Sequence, residues 1–176
     1  MTYKTIKKEA EAEIVEKKSR FLAAAKPILT EQEALDFIAE KKARFYDATH
    51  NVYAYILSEN NIARFSDDGE PSGTAGMPVL EVMKKEGITD LVVVVTRYFG
   101  GTLLGAGGLI RTYGKSAKEG IYAAGITERV YCHDIVVEAG YEWLGKLRDV
   151  YKRQVQNPRC IQAPHPTGFV RKKYTP

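Results

Sequence analysis

Leu91-Val92-Val93-Val94-Val95-Thr96-Arg97-Tyr98-Phe99-Gly100-Gly101-Thr102-Leu103-Leu104-Gly105-Ala106-Gly107-Gly108 is the stretch on which the fold turns. Leu91–Val95 is apolar at every position, which predicts a central strand covered on both faces. The strand leads through a glycine-rich loop into a helix. That junction gathers backbone N–H groups and the positive end of a helix dipole, an arrangement that holds anions. Five glycines within residues 100–108 permit positive φ angles and close approach of another backbone. The loop is not a Walker loop, because Ala106 stands where the lysine belongs, and it fails the dinucleotide fingerprint, because Ile110 replaces the third glycine. Two readings stay open, a tight strand-to-helix connection and an anion or phosphate site. The site would use Arg97, Gly100, Gly101, Gly105, Gly107, Gly108 and Arg111. Arg97, last in the strand, either faces the loop, which is the favoured placement, or pairs with Asp67 or Asp68.

Working outward, the helix after the loop is expected over 109–124. It has an apolar stripe of Ile110, Tyr113, Ala117 and Ile121 beside a basic stripe of Arg111, Lys115 and Lys118. Upstream, Glu13–Glu16 and Phe21–Lys26 are strand candidates joined by a turn at Lys17–Arg20. Thr30-Glu31-Gln32-Glu33 has capping-box spacing and opens a helix whose stripe reads Leu35, Ile38, Ala39, Lys42. Asn51–Leu57 and Ile62–Ser66 form a predicted hairpin. A polar loop, Asp67–Gly73, precedes a helix from Thr74 to about Glu86 with Gly87 as its stop. Glu128–Glu138 is expected as one final strand. This order predicts an α+β sandwich of one sheet with helices packed on one face.

Within 176 residues the longest apolar runs free of tyrosine are five residues, Phe21–Ala25 and Leu91–Val95, far short of the ~20 that span a bilayer. Met1–Lys18 lacks the apolar stretch of a signal peptide, so no membrane association and a cytoplasmic location are expected. Cys132 and Cys160 suit neither a disulfide framework nor a four-cysteine zinc site. The net charge of +4 invites a polyanion partner. Six basic residues after Val150 account for it, however, leaving 20 basic against 22 acidic residues in 1–150. Any polyanion site in the body is therefore a local patch. The stretch after Val150 also holds four of the seven prolines and shows no sustained apolar period, a composition that predicts disorder.

Two further constellations carry candidate chemistry. In Ser66-Asp67-Asp68-Gly69-Glu70-Pro71-Ser72-Gly73-Thr74-Ala75-Gly76, three carboxylates fall within four residues. They can take Mg2+ alongside phosphate oxygens, yet the spacing is not that of an EF-hand, and neither a resident metal nor a cofactor is expected. A plain turn with Ser72 or Thr74 capping the next helix explains the loop equally well. In Ala48-Thr49-His50-Asn51-Val52-Tyr53-Ala54-Tyr55, His50 is a conceivable general base beside the acidic loop. Tyr53 and Tyr55 share one sheet face, as base stacking or ordinary cross-strand packing requires.

Lys18-Ser19-Arg20-Phe21, Ala48–Asn51, Ser66–Gly76, and Thr96–Gly101 with Leu104–Leu109 occur in that order and resemble the signatures of the IMPACT/YigZ family over residues 1–150. The resemblance implies a ribosomal-protein-S-five domain-two-like fold, with a left-handed βαβ crossover, over residues 1–128. It further implies a ferredoxin-like C-terminal domain of which 129–150 is only the start, leaving 151–176 as a basic, proline-containing tail. The family's eukaryotic branch is tied to regulation of translation. The leading expectation is therefore a non-enzymatic regulator of translation, a binding module for RNA, ribosome-associated factors or a small phosphate-bearing ligand. Two alternatives stay open. One is a hydrolase or phosphoryl-transfer enzyme in which His50, Asp67, Asp68, Glu70 and Arg97 converge; the other is a pure protein-interaction domain.

Overall fold

The computed structural model describes residues 2–130, 133–136, 140–155 and 171–174. The chain divides into two compact units, Lys4–Glu128 and Met1–Tyr3 with Arg129–Pro176. The first contains β2 (Ala10–Glu16), β3 (Ser19–Pro27), α1 (Glu31–Arg44), β4 (His50–Leu57), β5 (Ile62–Ser66), α2 (Gly76–Glu86), β6 (Leu91–Tyr98) and α3 (Ala106–Ala124). The five strands form one sheet in the order β2-β3-β6-β4-β5, and every neighbouring pair is antiparallel. As its apolar run predicts, β6 is the central strand and is buried along Leu91–Arg97. Because β3 and β4 both oppose β6, they run parallel to each other, and α1 carries the chain between them.

Helices cover both faces of this sheet, not one. The cluster of Phe21, Ala23, Val52, Val93 and Val95 packs with Val79, Met83, Tyr113, Ala117 and Ile121 of α2 and α3. On the other face Ala24, Tyr55, Val92 and Val94 pack with Ala34, Phe37 and Ile38 of α1. The physical reason is β6 itself, whose alternate valines leave two apolar faces to be covered.

Local signals set the element ends. Thr30 Oγ1 accepts from the Glu33 N–H at 3.2 Å, while Glu33 Oε2 accepts from the Leu29 N–H at 2.7 Å, a capping box shifted by one donor. The buried stripe of α1 is Ala34, Phe37, Ile38 and Lys41, one position back from the expected set, and Leu35 is exposed. Lys41 rather than Lys42 is the buried lysine, its Nζ bonded to Glu9 and Glu11 at 3.0 Å each. In α3 the buried stripe holds Leu109, Tyr113, Ala117 and Ile121, with Ile110 exposed. Gly87 ends α2 with φ 66°, a left-handed stop that glycine adopts freely. The turn between β2 and β3 is only Lys17 and Lys18, at φ 44° and 67°. This is the two-residue hairpin geometry in which both central residues take positive φ.

Outside the five-stranded sheet, β1 (Thr2–Ile6) and β7 (Ile126–Val130) form a two-stranded sheet. The expected single strand over 128–138 is two, β7 and β8 (His133–Val136), with 131–132 and 137–138 outside the described residues. In the second unit β8 pairs antiparallel with β9 (Arg171–Tyr174), and α4 spans Leu144–Val155. Of the expected tail, residues 151–155 end α4 and residues 171–174 form β9. Leu144, Leu147, Tyr151 and Val155 recur at helical spacing, a stripe that a boundary at Val150 cuts through. Residues 156–170 of the expected tail lie outside the described residues. Among the described residues no helix is long and apolar enough to cross a membrane.

Candidate functional site

The His50, acidic-loop and Arg97 motifs meet at one end of the five-stranded sheet. His50 opens β4 directly opposite Arg97 near the end of β6. Residue parity puts Arg97 on the Val95 side, the face covered by α2 and α3. There its Nη1 donates to Glu70 Oε1 at 2.5 Å, and the Tyr113 hydroxyl donates to the same oxygen at 2.8 Å. The guanidinium lies over the Phe21 and Phe99 rings, 5.4 and 5.6 Å from their centroids. Its Nε–H is buried without a hydrogen-bond partner among the described residues. Arg97 therefore neither faces the glycine loop nor pairs with Asp67 or Asp68. Burial pushes the Tyr113 hydroxyl far above the usual tyrosine range, and the Glu70 charge and hydrogen bond push it further, so it acts as a fixed donor.

The remaining acidic residues are also committed to the scaffold. Asp67 accepts from the Gly73, Ala75 and Gly76 N–H groups at 2.9, 3.1 and 2.8 Å, and so caps α2 from across the loop. Neither expected cap acts: Thr74 Oγ1 donates to the Pro71 carbonyl at 2.6 Å, α2 has no side-chain cap from its adjacent residue, and Ser72 is exposed. Asp68 accepts from Lys42 Nζ at 2.6 Å and from the Asn51 N–H at 2.7 Å. Burial raises its pKa, but the Lys42 hydrogen bond, the Asn51 amide and the Lys42 charge outweigh it and hold the carboxyl below the usual range. His50 Nδ1 lies 2.8 Å from the Asp68 carbonyl oxygen, so Nδ1 carries the proton and donates. Its Nε2 is 3.9 Å from Glu70. Among the described residues no group of three or more His, Cys, Asp or Glu could hold a metal ion.

The glycine loop divides into two jobs. Gly100 packs on the β2–β3 turn: its N–H donates to Ser19 Oγ at 3.1 Å, and a Cβ there would sit 2.1 Å from the Lys18 carbonyl atoms. Gly101 and Gly105 turn the chain at φ 80° and 71°. Gly107 and Gly108 lie in the first turn of α3, which has neither a side-chain cap nor an acidic residue in that turn, so its N-terminal end stays positive. A groove of ≈250 Å3 opens beside it, lined by Glu16, Lys17, Leu104, Gly108, Arg111, Thr112 and Lys115. Lys17, Arg111 and Lys115 are exposed and make no ion pair among the described residues. Lys118, the third member of the predicted basic stripe, is drawn off to Glu86 at 3.5 Å.

Sequence reasoning missed Lys17, Leu104 and Thr112 as groove residues and Tyr113 as a polar partner. The available signal was the helical spacing of Gly108, Arg111, Thr112 and Lys115 on one face. Tyr53 and Tyr55 do stack, with centroids 6.4 Å apart, but on the face that α1 covers. The Tyr55 hydroxyl donates to Glu31 at 2.6 Å, so the pair is no open platform for bases.

The model of the Impact N-terminal domain matches residues 17–121. The chain is 51% identical over 149 residues to the IMPACT family member YvyE of Bacillus subtilis, covering 84% of this chain and 69% of that protein. It is 49% identical over 107 residues to an IMPACT family member of Thermus thermophilus, covering 61% of this chain and 57% of that one. It is 37% identical over 108 residues to the IMPACT family member YigZ of Escherichia coli, covering 60% and 53%. The chain thus spans little more than half the length of the latter two relatives. A crystal structure of a hypothetical protein is similar at TM-score 0.70 and 25% identity, covering 99% of this chain and 85% of that one.

Proposed function

The chain belongs to the IMPACT family, and on that premise we propose that it is a cytoplasmic regulator of translation that works by binding RNA. The groove on α3 holds RNA phosphates. The observation that carries this reading is the set of three exposed cations, Lys17, Arg111 and Lys115, that make no ion pair among the described residues and line the groove along the first turns of α3. Arg111 supplies the forked donor that phosphate favours, and the lysines add point charge. Gly107 lets the phosphate approach the backbone, Gly108 makes room for Leu104, and Gly100, Gly101 and Gly105 shape the loop. Arg97 serves the fold instead. The family resemblance supports a ribosomal-protein-S-five domain-two-like body over 1–128, followed by the start of a ferredoxin-like domain over 129–150 and a basic tail.

Catalysis is the weaker reading, because Asp67, Asp68 and Glu70 are each engaged by backbone or side-chain donors of the scaffold. Fluorescence anisotropy with a labelled oligoribonucleotide tests the proposal. Arg111→Ala should weaken binding several-fold and His50→Ala should not; equal affinity for wild type and Arg111→Ala would overturn it.

A further inference from the structure

Three aromatic side chains gather at the same end of the sheet as the groove, and no enclosed core uses them fully. Tyr46, in the segment after α1, is 85% exposed, and Phe99, at the end of β6, is 47% exposed. Tyr98, partly exposed, is tied to the same segment, because its hydroxyl bonds to Asp47, the residue after Tyr46. The Tyr98 ring and the Phe99 backbone are held in place. The Tyr98 hydroxyl donates to Asp47 at 2.9 Å, and the Phe99 N–H donates to Thr49 Oγ1 at 3.1 Å. The Arg20 guanidinium sits 5.8 Å from the Tyr98 centroid. Exposed aromatics with fixed backbones and cationic neighbours are what stacking on nucleobases requires, because every base offers a π face.

This aromatic end is continuous with the basic groove through the β2–β3 hairpin. Arg20 pairs with Tyr98 in register, Lys18 lies under Gly100, next to Phe99, and Lys17 lines the groove. Arg20 and Lys17 are three residues apart around the hairpin turn, a span that a few nucleotides cover. The exposed Lys18 and Arg20 side chains lie along that path.

We propose that the ligand of the groove is single-stranded RNA, with a phosphate held by Lys17, Arg111 and Lys115 and the adjoining bases stacked on Tyr46, Tyr98 and Phe99. A duplex keeps its bases inside the helix and leaves these aromatic faces without partners. The inference rests on the phosphate reading of the groove and adds to it the strandedness of the ligand and the residues that read it.

The test is anisotropy with a 12-nucleotide oligouridylate and with a duplex of the same length, on wild type, Tyr46→Ala, Phe99→Ala and Arg111→Ala. The single strand should bind wild type more tightly than the duplex. Tyr46→Ala and Phe99→Ala should each weaken single-strand binding roughly tenfold and leave its salt dependence unchanged. Should Phe99→Ala lower the melting temperature, the highly exposed Tyr46 decides alone. Unchanged single-strand affinity in Tyr46→Ala, with Arg111→Ala still weakened, would overturn the stacking and hand the aromatic end to a protein partner. Loss of the Arg111 effect itself would instead strike the groove reading on which the stacking rests.

Discussion

Arg97 and Glu70, 27 residues apart in sequence, form a buried ion pair at 2.5 Å with side chains 6% and 3% exposed. The pair ties the end of the central strand to the acidic loop, and the Tyr113 hydroxyl ties both to α3. Removing one partner leaves the other charge buried without its counter-ion, which costs about 3–5 kcal/mol. Arg97→Ala and Glu70→Ala should each lower the urea-unfolding free energy by that amount. At temperatures where Arg97→Ala remains folded it should bind RNA like wild type. A folded variant of normal stability with weakened RNA binding would return Arg97 to the groove.

Gly100→Ala should be the most damaging change in the glycine loop. The new Cβ would meet the Lys18 carbonyl at 2.1 Å, and backbone cannot yield as a flexible side chain can. A loss of about 2–3 kcal/mol or more is expected. Gly107→Ala, whose Cβ would meet only the far end of Arg111 at 3.6 Å, should be nearly neutral. Thermal denaturation of the two variants side by side checks the contrast.

Asp67→Ala removes the acceptor for three N–H groups at the start of α2 and should cost about 1–2 kcal/mol. Ser72→Ala should change stability by less than about 0.5 kcal/mol. Equal losses in chemical denaturation would mean that Ser72 shares the cap.

Burial, then the Glu31 hydrogen bond, push the Tyr55 hydroxyl up to about 12, against ~10 in the unfolded chain. The unfolded state therefore releases this proton first. The stabilisation is fully present below pH ~10 and is lost as the pH rises toward about 12. Tyr55→Phe should flatten the alkaline limb of the stability curve across that window. An identical limb in the variant would show that Tyr55 does not contribute to it.

Local chemistry made much of the fold legible. Leu91–Val95 announced a doubly covered strand, Thr30 a helix start and Gly87 a helix stop, because each depends on a few neighbouring residues. The errors came where tertiary partners decide. Leu35, Ile38, Ala39, Lys42 and Ala34, Phe37, Ile38, Lys41 have the same spacing, and the second set prevails because Phe37 enters the core and Lys41 finds Glu9 and Glu11. Parity gave the face of Arg97 correctly, but not that Glu70 and Tyr113 already occupy it. Lys17 reaches the groove only because the hairpin turn is two residues long, with both in the left-handed region, which its Lys-Lys sequence does not advertise.

The salt dependence of RNA binding decides whether the α3 groove holds phosphates. Each phosphate contact to a single strand adds ~0.7 to the slope of log K against log salt. With the oligouridylate, Arg111→Ala/Lys115→Ala should bind more weakly and show a slope shallower by about 1.4, two contacts' worth, with the unfolding midpoint unchanged. A double variant with the affinity and slope of wild type would contradict the account, because Arg111 and Lys115 would then touch no phosphate.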